Sequence, residues 1–159
     1  MMRSRLRLGL AIVVGLGGLV PSAGAQRPYP PISARTIVSG SATIKVTGAF
    51  NLDEELAINA QGGFGDGEMT WLPFGASGSE KPHALITFTD TNEIGIDIRR
   101  GKLQATGGIG GDNDTCTGKV EVTPKLISGH LICTGAASYD PVTGKMGKVN
   151  IDIRFTAGS

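Results

Sequence analysis

The stretch from Cys116 to Cys133, CTGKVEVTPKLISGHLIC, constrains this chain more than any other, and it holds both of its cysteines. Thr123-Pro124-Lys125-Leu126 places proline at the second position of a turn, where φ near −65° is required. With Pro124 and Lys125 at the turn centre, Cys116 faces Cys133, Gly118 faces Leu131, Val120 faces Gly129 and Val122 faces Ile127. The alternate set pairs Thr117 with Ile132, Lys119 with His130 and Glu121 with Ser128. One face is apolar and carries both sulfurs, and the other is mostly polar, as a half-buried antiparallel ladder requires. A disulfide directly across two strands fits a non-hydrogen-bonded pair, where side chains approach most closely. Closing a loop of this size stabilises a fold by about 3 kcal/mol in the chain-entropy treatment. The competing readings are two buried free thiols and a metal site, which the lack of a nearby histidine pair disfavours.

The N-terminus supplies an oxidising destination for that bond. Arg3, Arg5 and Arg7 precede an apolar run from Leu8 to Val20, and Pro21-Ser22-Ala23-Gly24-Ala25 ends in a small-x-small pattern. Residues 1–25 therefore read as a signal peptide, because the run is shorter than the ~20 residues a membrane span needs. No span is expected after cleavage, and the mature protein is expected to be periplasmic or secreted. Cleavage removes three of the 15 Lys and Arg residues, leaving 12 against 14 Asp and Glu, a net charge of −2. No cationic stripe remains for phosphates, which argues against a nucleic-acid partner. A surface or cell-envelope partner is the expected kind.

Residues 26–35, QRPYPPISAR, read as a proline-rich extended tether with little packing, and residues 36–159 as a single β-domain. Ser41 to Phe50 alternates, with Ala42, Ile44, Val46, Gly48 and Phe50 on one face. Asn51 to Ala60 reads as a turn followed by a strand; a helical turn opened by Asp53-Glu54-Glu55 is the alternative. Gln61 to Gly67 is glycine-rich and reads as a hairpin loop. It lacks the third glycine of a dinucleotide fingerprint, since Glu68 stands there. Trp71 lies in a strand that Pro73 is expected to end. Ala84, Ile86 and Phe88 alternate, then Ile94, Ile96 and Ile98 return after a turn at Asp90–Asn92. Lys102 to Thr106 is a further strand, and Gly107 to Asp114 a flexible connection. Asp140 to Lys145 is a turn, and its Gly144-Lys145 lacks the rest of a phosphate loop. Val149, Ile151, Ile153, Phe155 and Ala157 line the inner face of the last strand.

Short strands at regular spacing, with no long helical pattern, predict an all-β fold: an antiparallel sandwich or barrel of about eight strands with one disulfide-closed hairpin. The ending S-G-x-x-x-C-x-G (Ser128 to Gly135), followed by a turn and V-x-I-x-I-x-F-x-A (Val149 to Ala157), resembles small exported bacterial β-domain proteins of uncharacterised function. The resemblance covers about a quarter of the chain. It implies a bacterial secreted β-domain and carries no activity.

Catalytic signatures are lacking. His130 falls on the outer face opposite Lys119, with no carboxylate to orient it, and His83 opens a strand beside Pro82. Ser77, in G-A-S-G-S, lacks the second glycine of a nucleophile elbow. Asp53, Glu54, Glu55, Asp66 and Glu68 could supply the two carboxylates of a glycosidase if they met at one end of the domain. No cofactor or metal is expected. Asp112, Asn113 and Asp114 are the residues a calcium ion would use if one bound, although the glycine and distal glutamate of an EF-hand are missing. The leading expectation is a non-catalytic exported binding or structural domain. If the ligand is a carbohydrate, Trp71 or Tyr139 would have to be exposed as a stacking platform. The alternatives are a barrel holding a small apolar ligand inside, and a small secreted hydrolase.

Overall fold

A computed structural model of the chain describes residues 28–76 and 80–159, with Asn113 described by its backbone alone. The expected signal segment and Ser77 lie outside the described residues. Among the described residues there are eleven strands: β1 (Arg35–Ile37), β2 (Ser39–Gly48), β3 (Leu52–Ala57), β4 (Gly63–Gly65), β5 (Met69–Gly75), β6 (His83–Thr89), β7 (Ile94–Arg100), β8 (Leu103–Ile109), β9 (Cys116–Val122), β10 (Leu126–Asp140) and β11 (Lys145–Gly158). They make one antiparallel sheet in the order β1-β4-β5-β6-β7-β8-β10-β11-β2-β3, with β9 added on β10. The sheet curls into a half-barrel. At the far edge β3 comes back towards β5: Ile58 and Phe74 form an isolated antiparallel bridge, and the Asn59 N–H donates to the Pro73 carbonyl at 2.8 Å. The expectation of about eight strands in a sandwich or barrel thus becomes one curled sheet of eleven.

Period-2 alternation is what lets the sheet curl around its own apolar face. Ala42, Ile44 and Val46 of β2, Ala84, Ile86 and Phe88 of β6, Ile94, Ile96 and Ile98 of β7, and Val149, Ile151, Ile153, Phe155 and Ala157 of β11 are all buried. Phe155 lies at the centre, its ring 6.4 Å from that of Phe74 and 6.1 Å from that of Phe88. Side chains therefore fill the concave interior.

Four local expectations are corrected by this packing. The proline-rich segment is no loose tether: Tyr29 and Ile32 are buried, Tyr29 packs edge-on against Phe88 with centroids 5.2 Å apart, and its hydroxyl donates to the Thr89 carbonyl. An aromatic and an aliphatic residue among the prolines suffice to anchor the segment over the barrel end. Gly63-Phe64-Gly65 is a strand between β1 and β5 rather than a hairpin loop. A Cβ on Gly63 would lie 2.6 Å from the Trp71 carbonyl oxygen, so the glycines serve close approach between strands. Pro73 does not end β5, which runs on to Gly75; Pro73 still pairs with Leu85 and offers its carbonyl to Asn59. Gly107 to Ile109 continue β8 before a single 3-10 turn at Gly111–Asn113, so the connection expected from Gly107 onward is shorter than its composition implied.

Candidate functional site

The register of the β9–β10 hairpin is the one its turn and alternation predict, from Val122 opposite Ile127 through Cys116 opposite Cys133. The turn is held by the Thr123 side chain: its Oγ1 accepts the Leu126 N–H at 3.0 Å while the Thr123 N–H donates to the Leu126 carbonyl at 2.8 Å. Cys116 and Cys133 form a disulfide with S–S 2.08 Å, and both are buried. A disulfide points to an oxidising, extracytoplasmic environment.

Its position in the sheet was not foreseeable from the hairpin alone. Strand β10 changes partner along one edge, pairing with β9 over Ile127–Cys133 and with β8 over Ala137–Tyr139. A bulge between Cys133 and Ala136 separates the two stretches, and the inward set passes from odd to even numbers across it, as an extra residue requires. The disulfide sits at that junction. A Cβ on Gly107 of β8 would fall 3.0 Å from the Cys116 sulfur and 3.2 Å from that of Cys133, so β8 packs directly on the bond. The bond joins the first residue of β9 to β10 where the neighbouring strand diverges.

Trp71 and Tyr139, the two candidate ligand contacts, lie on different parts of the outer surface. Trp71 is half-buried and pairs across β4–β5 with Phe64. Their rings stack with centroids 6.0 Å apart and planes 20° from parallel, and Phe64 is 52% exposed. The same outward row carries Thr36 beside Phe64, Thr87 beside Trp71, and Gly95 beyond it. Phe64 joins Trp71 as a candidate contact; its flanking glycines resemble a loop, and G-F-G beside an aromatic strand is the one signal of it in the sequence. Tyr139 is 41% exposed and pairs with Met146 next to the β10–β11 turn, where Val142 is also exposed. That turn is closed by Asp140, whose carboxylate accepts the Thr143 hydroxyl at 2.7 Å and the Val142 N–H at 2.9 Å. These bonds, the Thr143 hydroxyl first, hold its carboxyl below the usual carboxylate range.

Of the Asp112, Asn113 and Asp114 loop, Asp114 is engaged with the protein, accepting the Gly110 N–H at 3.1 Å. Among the described residues no three His, Cys, Asp or Glu side chains converge to hold a metal ion. The five acidic residues considered for glycosidase chemistry do not form one cluster. Asp53 and Glu54 line a cleft with Lys45 and Arg100, Glu55 lines another with Asn59 and Gln61, and Glu68 lies beside Tyr29 and Asp90. Asp66 is spent on its own turn, accepting the Met69 and Glu68 N–H groups, which lower its pKa.

His130 requires a correction. It does face Lys119 across the hairpin, but its other neighbour strand supplies a carboxylate: Nε2–H donates to Asp152 Oδ1 at 2.9 Å. Asp152 lies on β11, and the hairpin register says nothing about β11. A histidine oriented by an acid is half of a general-base arrangement. Among the described residues no hydroxyl hydrogen-bonds the second ring nitrogen of His130. No helix among the described residues is long and apolar enough to cross a membrane. Comparison with protein-family models, with curated proteins and with solved structures finds no match for this chain.

Proposed function

We propose that the protein is a non-catalytic, exported domain that binds a neutral carbohydrate on its outer surface, with Phe64 and Trp71 as the stacking platform. The carrying observation is the stacked Phe64–Trp71 pair on the convex side of the sheet. Burying large rings stabilises a β-domain, and a half-exposed phenylalanine on an outer face forgoes that gain. Exposed aromatic rings suit the C–H faces of sugar rings, Phe64 is 52% exposed, and the neighbouring Thr36 and Thr87 lie in the same outward row. Binding outside rather than inside is supported by the interior, where Phe74, Phe88 and Phe155 occupy the space that an internal apolar ligand would need. Export is supported by the signal-like first 25 residues together with the disulfide.

The test is affinity gel electrophoresis of the mature protein through gels containing soluble neutral polysaccharides, hydroxyethyl cellulose, xylan and glycol chitin, each in a separate gel. Retardation in at least one gel, lost in Trp71→Ala and Phe64→Ala and kept in Tyr139→Ala, is the expected result. Equal mobility of wild type and both platform variants in every gel would refute the reading.

A further inference from the structure

A second outer surface, separate from the aromatic platform, has a different chemistry. Across the outward side of β9, β10, β11 and β2, the pairing places Lys119, His130, Arg154 and Thr43 in one row perpendicular to the strands. The adjacent row is Glu121, Ser128, Thr156 and Ser41. Both rows line a groove of about 450 Å³.

Like-charged groups directly opposite one another on a sheet destabilise it, and this row sets two permanent cations on either side of a histidine. The counter-charge is incomplete. The ion pairs among the described residues use only Asp97 and Asp152 as acids: Asp152 bonds His130 at 2.9 Å and lies 4.0 Å from Arg154 Nε. Lys119 takes part in none of them, and the terminal nitrogens of Arg154 make no hydrogen bond among the described residues, its side chain being 69% exposed. Glu121 is the acid lining the groove; Glu55 of β3 ends the row of Lys119 and Arg154, opposite Thr43, and the adjoining row sets Lys45 between Asp152 and Asp53.

We infer that this groove binds a carboxylated, hydroxyl-rich polymer, a uronic-acid polysaccharide, with Lys119 and Arg154 on its carboxylates. The Arg154 fork suits bidentate carboxylate recognition. The Ser41, Thr43, Ser128 and Thr156 hydroxyls can exchange hydrogen bonds with the polymer's own. Two rival anionic partners fit less well. A nucleic acid would want free aromatic rings to stack its bases, but here Phe155 is buried and the His130 ring is tied to Asp152. An anionic membrane presents a broad, flat surface, which meets the rims of a groove rather than the side chains along it.

The experiment is isothermal titration of the mature protein with polygalacturonate, and with the same polymer fully methyl-esterified, at about 0.02 M and about 0.5 M salt, where screening lengths differ several-fold. We expect binding to polygalacturonate at low salt, loss at high salt, and none to the esterified polymer. The double variant Lys119→Gln/Arg154→Gln should weaken binding by about tenfold or more, while Lys145→Gln/Lys148→Gln, which removes the same charge elsewhere on the surface, should change it less than about twofold. All four side chains are exposed, and an unchanged thermal midpoint confirms that the variants fold. Equal weakening by the two double variants would mean general polyanion attraction and overturn the inference, as would undiminished binding of the esterified polymer or no binding at low salt. Trp71→Ala should leave this titration unchanged, which separates its outcome from that of the neutral-sugar platform.

Discussion

Removing the Cys116–Cys133 bond tests whether it staples the β8–β9–β10 junction. The bond closes a loop with a sequence separation of 17, and the chain-entropy relation gives roughly 10 cal/mol/K for a loop of that length, about 3 kcal/mol at 25 °C. Two features of the structure move that figure in opposite directions. The hairpin's own turn and alternation already favour the paired state, so residual structure in the unfolded chain lowers the gain. Both sulfurs are buried against β8, so Cys116→Ala/Cys133→Ala also loses packing, which raises the cost. Urea unfolding of wild type, of the double alanine variant and of reduced wild type separates the two. Reduction leaves the sulfurs in place and should cost about 2–3 kcal/mol, with the slope against urea rising because the unlinked chain exposes more surface. The alanine variant should cost roughly 1 kcal/mol more than reduction, from the missing buried atoms. A loss below about 0.5 kcal/mol on reduction would refute the claim that the disulfide holds this junction.

Three further outcomes follow from the core and the turns. Phe155→Ala should destabilise by about 3–5 kcal/mol in urea or thermal unfolding, since its ring contacts those of both Phe74 and Phe88. Gly129→Ala should cost about 1–3 kcal/mol by overpacking, because a Cβ there would lie 2.5 Å from the Phe155 ring; Phe155→Leu should relieve part of that cost, so the double variant is less unstable than the sum of the singles. Asp140 has a folded pKa below its unfolded value. Its contribution is therefore complete above the ordinary carboxylate pKa and is lost as pH falls through the lowered folded value. The difference in urea midpoint between wild type and Asp140→Asn should be larger at neutral pH than in acid, and a difference that grows towards acid would contradict the turn's role.

The legible parts of this chain were those where one strand decides its own faces. Ile94, Ile96 and Ile98, or Val149 through Ala157, bury the residues their alternation selects, because a slip of one residue would expose every one of them. The illegible parts depend on a neighbour. Gly63-Phe64-Gly65 has the composition of a loop and becomes a strand because β1 and β5 both reach it. Tyr29 and Ile32 sit among prolines that look extended and solvated until Phe88 and the open barrel end provide somewhere to pack. The bulge after Cys133 leaves no composition signal beyond Gly135, whose N–H is taken up by Asn150 at 3.1 Å.

The surface chemistry repeats this division more sharply. Turn geometry was enough to place Lys119 beside His130, because a hairpin fixes its own register. Nothing local brings Arg154 and Asp152 to the other side of His130, since that requires knowing that β11 folds back along the whole of β10. From the hairpin alone, His130 looks like a solvated histidine next to a lysine. With β11 and β2 added, the same residue stands between Lys119 and Arg154, bonded to Asp152, beside a row that carries three hydroxyls and Glu121. Phe64 and Trp71 likewise become one surface only when β4 is recognised as a strand. In an antiparallel sheet the residues that meet on an outer face are brought together by strand order, while each strand's own sequence records only which of its faces is wet. A sequence can therefore specify a half-barrel of this kind clearly while its binding surfaces, each assembled from several strands, stay dispersed along the chain.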